Sequence, residues 1–171
     1  MQLRIKSENR PYGILVGTSP INTMEEILVA IDGSEHSSKV VEEAIKLAKE
    51  TKAKIALMHV VPRVTPPEEF VQYVKAEHVD ADPVAHYWER IGEEILTRYG
   101  RKIASAGIEH EEVLKVGDAS DRILDVVKAR KPSYVVIGIV GLRGVRKVLA
   151  IGSVARRVME SSPHPVLAVP A

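Results

Sequence analysis

The sequence predicts an α/β domain built on an open, five-stranded parallel sheet flanked by helices. Four short runs are apolar at nearly every position and rich in β-branched side chains, the composition of strands buried on both faces, and a fifth, 108–116, mixes such residues with charged ones. Between them lie segments whose apolar residues recur at spacings of three and four, as in amphipathic helices. Strands and helices therefore alternate, which argues a parallel sheet with helices on both faces.

The first strand is Ile27-Leu28-Val29-Ala30-Ile31, with Asp32-Gly33-Ser34 as the turn behind it. In the helix that follows, Val40, Val41, Ala44, Ile45, Leu47 and Ala48 form the apolar side, and Glu42, Glu43, Lys46 and Lys49 the wet one. Ile55 to Val61 is the second strand, closed by Pro62. Thr65-Pro66-Pro67-Glu68 combines a capping residue, a proline at the first helical position and a glutamate three after the cap, so a short helix is expected to about Lys75. Asp82-Pro83 repeats the device before a longer helix whose Trp88, Ile91, Ile95, Tyr99 and Ile103 make one apolar face, ending at Gly107. Ile108 to Val116 is the third strand. Gly117 to Asp121 caps the next helix, with Ile123, Leu124, Val126 and Val127 apolar and Pro132 at its end. A fourth strand over 134–140, a helix from Ser153 to about Ser161, and a last strand Val166-Leu167-Ala168-Val169 between Pro165 and Pro170 complete the pattern. Residues 1–24 do not join this rhythm and are read as an arm before a domain over 25–171.

A chain of 171 residues suits one well-filled domain. A net charge of +1 with 27% charged residues lacks the bias of a nucleic-acid or membrane binder, so neither partner is expected. The absence of cysteine excludes disulfides, thiolate metal sites and thiol nucleophiles. Val135 to Leu142, the longest apolar run, falls far short of the roughly 18 residues that read as a membrane span. The first residues lack a secretory pattern, and the cytoplasm is the expected location.

Chemistry is concentrated behind two strands. In open parallel sheets ligands bind beyond the carboxyl ends of strands, where the strand order reverses. Asp32-Gly33-Ser34 follows the first strand, and Gly138-Ile139-Val140-Gly141-Leu142-Arg143-Gly144 follows the fourth. Gly152, Ser153 and Val154 then open a helix, whose free N–H groups and dipole favour an anion, with the Ser153 hydroxyl as a further donor. The plainer alternative is a glycine turn and a helix cap. Arg143, Arg146 and Lys147 either help neutralise phosphates or form a solvated basic face.

Taken together, Ile27 to Ser34, Leu57-Met58-His59-Val60, Gly138-x-x-Gly141 with Gly152-Ser153, and Pro165 to Val169 resemble the universal stress protein family from Met24 to Ala171. The resemblance implies an adenine nucleotide alpha hydrolase-like fold with strand order 3-2-1-4-5, and a homodimer through the C-terminal strand over 165–170. It implies an ATP site, with AMP or ADP as alternatives, in which Asp32 and Val60 contact the adenosine, Ile31 stands beside them, and Ala30 and Ile137 line the base pocket. Gly138, Gly141, Gly152, Ser153 and Val154 would embrace ribose and phosphates. Ten residues, Leu142 to Ile151, separate Gly141 from Gly152, one more than the family motif holds. Either the loop carries an insertion, or Gly141 and Gly144 form the working pair. Mg²⁺ or Mn²⁺ is expected only with bound nucleotide, held largely by phosphate oxygens.

The implied function is that of a nucleotide-dependent dimeric regulator or binding module; the alternatives are a nucleotide-free dimeric scaffold and a slow ATP hydrolase. No catalytic residue stands out: Walker and Rossmann signatures are missing, as is the Ser-Gly-Gly-x-Asp-Ser loop of ATP-pyrophosphatases. His78, Asp80, Asp82 and His86 have no spacing that converges them on a metal, and His59 in its buried strand reads as a core histidine. The segment between Arg63 and Asp82 is expected to cap the cleft or add to a partner surface.

Overall fold

The computed structural model describes residues 25–63, 68–69, 72, 83–139 and 151–170. The expected arm over 1–24, most of the expected short helix after Thr65, and Gly141 and Gly144 lie outside these residues. Glu68, Glu69 and Gln72, within that short segment, are helical.

The elements run β1 (Glu26–Ile31), α1 (Ser37–Thr51), β2 (Lys54–Val61), α2 (Pro83–Ser105), β3 (His110–Val116), α3 (Ala119–Arg130), β4 (Tyr134–Gly138), α4 (Ser153–Ser161) and β5 (Val166–Val169). The strands form one sheet in the order β3-β2-β1-β4-β5, every neighbouring pair parallel. Architecture and order are those expected.

Alternation along each strand divides the core in two. Ile27, Val29, Ile31, Ile55, Leu57 and Val136 pack with Val41 and Ala44 of α1 and Leu96 and Ile103 of α2. Leu28, Ala30, Ala56, Met58, Val135 and Ile137 face the other way, against Ile123 and Val127 of α3 and Ala155 and Val158 of α4. Both faces are covered, which is why β1, β2 and β4 are apolar over most of their length rather than alternating, whereas β3 at the edge carries exposed Glu111, Glu112 and Lys115.

Three details differ from the sequence reading. β3 starts at His110, not Ile108, because the end of α2 captures the intervening chain: the Gly107 N–H donates to Ala104 O at 2.9 Å and the Ile108 N–H to Ile103 O at 3.4 Å. β4 ends at Gly138, although the Ile139 N–H still donates to Val169 O at 2.8 Å. The inner face of α2 is rotated from the expected stripe: Leu96, Tyr99 and Ile103 are buried, whereas Trp88, Ile91 and Ile95 are only half-buried. Gly92 lies on that inner face, where a Cβ would come within 2.6 Å of Leu114 and 2.8 Å of Val61.

At the amino end of the sheet, Arg130 closes α3 onto two strands. It donates to both carboxylate oxygens of Glu26 at 2.7 Å and to Glu111 at 3.1 and 2.6 Å. These bonds hold the carboxyls of Glu26 and Glu111 below the usual range against the opposing effect of burial, and raise the Arg130 pKa further. The opposite end of the sheet is left for other chemistry.

Candidate functional site

The strand order reverses at β1, whose neighbours are β2 and β4. α1 departs to one face of the sheet and α4 to the other, so a crevice opens at the carboxyl ends of β1 and β4. It holds a cavity of about 330 Å³. Ala30, Met58, Val60 and Ile137 from the strands, Ile123 from α3 and Ala155 from α4 supply apolar lining; Asp32, His36, Ser37 and Ser153 supply polar groups.

Asp32 is held by its own turn. Its Oδ1 accepts from the Ser34 N–H at 2.9 Å and from the Ser37 hydroxyl at 2.9 Å, while Ser37 Oγ accepts from the Gly33 N–H at 3.1 Å. The turn requires Gly33 in the left-handed region, at φ 79°, where a Cβ would also strike Ile95. Burial raises the Asp32 pKa, but the hydrogen bonds from Ser34 and Ser37 outweigh it and keep the carboxyl below its ordinary range. At neutral pH Asp32 is an acceptor only.

The carbonyl just before this turn is also fixed. His59 is buried and donates from Nδ1 to Ile31 O at 2.9 Å, since a carbonyl oxygen can only accept. That is the satisfied core histidine expected from its strand.

On the other side of the crevice, Gly152 precedes α4 and no side chain caps it. The N–H groups of Ser153, Val154 and Ala155, in the first turn, have no partner among the described residues. Gly138 ends β4 beneath α1: a Cβ there would lie 2.9 Å from His36 Cδ2 and 3.0 Å from Val40 Cγ2. The missing side chain at Gly138 thus makes room for His36 and Val40, a use that the sequence did not suggest.

Nine expected residues, Ala30, Ile31, Asp32, Val60, Ile137, Gly138, Gly152, Ser153 and Val154, line this one cavity. Gly141 and Gly144, with Arg143, Arg146 and Lys147, lie outside the described residues. The sequence reading missed Met58, Ser37, His36, Val40, Ala119, Ile123 and Ala155. Met58 was accessible to it, being two residues before Val60 on the same side of β2 and paired in register with Ala30. Nothing in the sequence marks His36. Among the described residues no three His, Asp or Glu side chains gather as a metal site, and no helix is long and apolar enough to cross a membrane. His78, Asp80 and Asp82, and the side chain of His86, lie outside what is described.

A model of the universal stress protein family matches residues 24–170. Universal stress protein YxiE of Bacillus subtilis is 31% identical over 147 residues, covering 84% of this chain and 97% of that protein. Universal stress protein MJ0531 of Methanocaldococcus jannaschii is 30% identical over 156 residues, covering 86% and 83%. Among solved structures, universal stress protein UspA from Lactobacillus plantarum superposes with a TM-score of 0.68 at 18% identity, covering 86% of this chain and 99% of its own. The Archaeoglobus fulgidus universal stress protein in complex with dAMP gives 0.57 at 22% identity, covering 85% and 97%. A universal stress protein family protein from Arabidopsis thaliana with AMP bound gives 0.57 at 20% identity, covering 85% and 91%. At these identities the superpositions establish the fold.

Proposed function

This chain belongs to the universal stress protein family, and we propose that it binds an adenine nucleotide, ATP or else ADP or AMP, in the crevice between β1, β4 and α4. The observation that carries the proposal is the convergence of an apolar lining, an ionised carboxylate and an uncapped helix start on one cavity. A purine matches Ala30, Met58, Val60 and Ile137, ribose hydroxyls donate to Asp32, and phosphates meet the N–H groups and hydroxyl at the start of α4. The glycines over 138–144, Gly141 and Gly144 among them, complete the phosphate loop. Mg²⁺ or Mn²⁺ enters only with the nucleotide, on phosphate oxygens. The dAMP and AMP bound by the two related proteins support the ligand class.

In this proposal the chain is a nucleotide-responsive dimeric module rather than an efficient enzyme, with hydrolysis no more than slow. Support for the dimer comes from β5, a sheet edge on which Leu167 is 40% exposed and Val166 and Ala168 half-buried. Calorimetric titration with ATP, ADP and AMP is expected to give saturable heat with at least one of them. No heat and no thermal shift with any of the three would overturn the proposal and leave the nucleotide-free scaffold.

A further inference from the structure

We propose that His36 is a positioning residue that transmits occupancy of the nucleotide cavity to the last strand. The inference rests on the nucleotide reading above and adds a consequence of it.

His36 stands at the start of α1 and lines the cavity. Its Nε2 lies 3.0 Å from Val169 O, across 133 residues of sequence. A carbonyl oxygen only accepts, so Nε2 carries the proton and donates. Val169 O also accepts the Ile139 N–H at 2.8 Å, so two donors share the carbonyl that closes the β4–β5 ladder. The imidazole packs over the end of that ladder, where Gly138 pairs in register with Val169 and has no room for a Cβ beneath the ring. One side chain is therefore at once a wall of the cavity, the cover of β4's last residue and the tether of β5's last carbonyl.

A ligand shifts a structure only as far as it interacts differently with its alternatives. With the cavity filled by solvent, the His36 ring can leave Val169 O and find water as its partner. A nucleotide occupying that space removes this alternative and holds the ring on the strand. β5 has four residues and a single neighbour among the described strands, so its end is where losing one tether matters most. By reciprocity, whatever steadies this strand favours nucleotide binding by the same factor.

Hydrogen exchange of the full chain, read at Ile139 and at 166–169 with and without ATP, tests the coupling. Each variant is measured at an ATP concentration that calorimetry shows to be saturating. In the parent, ATP is expected to slow exchange there about fivefold or more. In His36→Leu the slowing should vanish while Ala30 to Asp32 remain protected, and His36→Gln, which keeps a donor, should restore part of it. Should His36→Leu fail to fold, His36→Ala takes its place. Equal protection of β5 in the parent and in the folded Leu or Ala variant would overturn the proposal, as would an ATP-bound parent with no change at β5. If ATP gives no heat with the parent, the nucleotide reading itself falls and the coupling with it.

Discussion

Asp32 combines features that rarely occur together on an exposed turn. Its Oδ1 is fixed by Ser34 and Ser37 and its pKa is held down, so it presents a charged acceptor in a set orientation. Replacing it removes that acceptor and also releases Ser37 and the Gly33–Ser34 turn. Asp32→Ala should therefore weaken ATP binding by about 1.5 to 3 kcal/mol, or about 10- to 150-fold. Calorimetry on both proteins checks this; equal affinities would make Asp32 a turn residue only. Asp32 and Ser153 could be read from the sequence because each sits in a short motif behind a strand or ahead of a helix. His36 could not, because its contacts with Gly138 and Val169 arise only when β4 and β5 meet the start of α1.

β1, β2 and β4 are readable because burial on both faces demands continuous apolar runs, a signal that needs no tertiary knowledge; β3, with Glu111, Glu112 and Lys115 exposed, lacks that signal. α2 was harder. Hydropathy counts glycine as empty, so the stripe through Trp88, Ile91 and Ile95 looks like the inner face, whereas Gly92 lies close against Val61 of β2 and Leu114 of β3. Gly92→Val should force α2 off Leu114 and Val61 and lower stability by about 1 to 3 kcal/mol, read as a lower urea midpoint. An unchanged midpoint would contradict this packing. Arg130 gives α3 a second attachment. Arg130→Met leaves Glu26, whose side chain is 12% exposed, facing Glu111 with Lys54 Nζ at 3.3 Å as its remaining cation, for an expected loss of about 1 to 2 kcal/mol after allowing for solvent at Glu111. The sign of the pH effect follows from the depressed carboxyls. Their contribution is whole above the unfolded value of 4.5 and is lost as pH falls through the lower folded values. Between pH 5 and pH 3 the parent should thus lose more stability than Arg130→Met, and parallel losses would contradict the role of the pair.

Strand order decides what the whole chain can do: β1 at the centre creates the crevice, and β5 stands at the edge of the sheet among the described residues. The alternation of elements was enough to predict a parallel sheet, but the order 3-2-1-4-5 came from resemblance, because periodicity carries no information about which strands are neighbours. Two β5 strands related by a twofold axis would pair their outer edges, with Pro165 and Pro170 limiting the ladder. Light scattering should therefore give a dimer both for the full chain and for a chain starting at Met24; a monomer that dimerises only after truncation would instead assign the edge to the arm. The central claim, an adenine nucleotide in the crevice, is tested most directly by titrating ATP into ¹⁵N-labelled protein and following backbone amide shifts. Binding as proposed would move Ala30 to Gly33, Val60, Gly138 and Ser153 to Ala155 together along one saturation curve. Shifts confined to other surfaces, or none at saturating ATP, would contradict it.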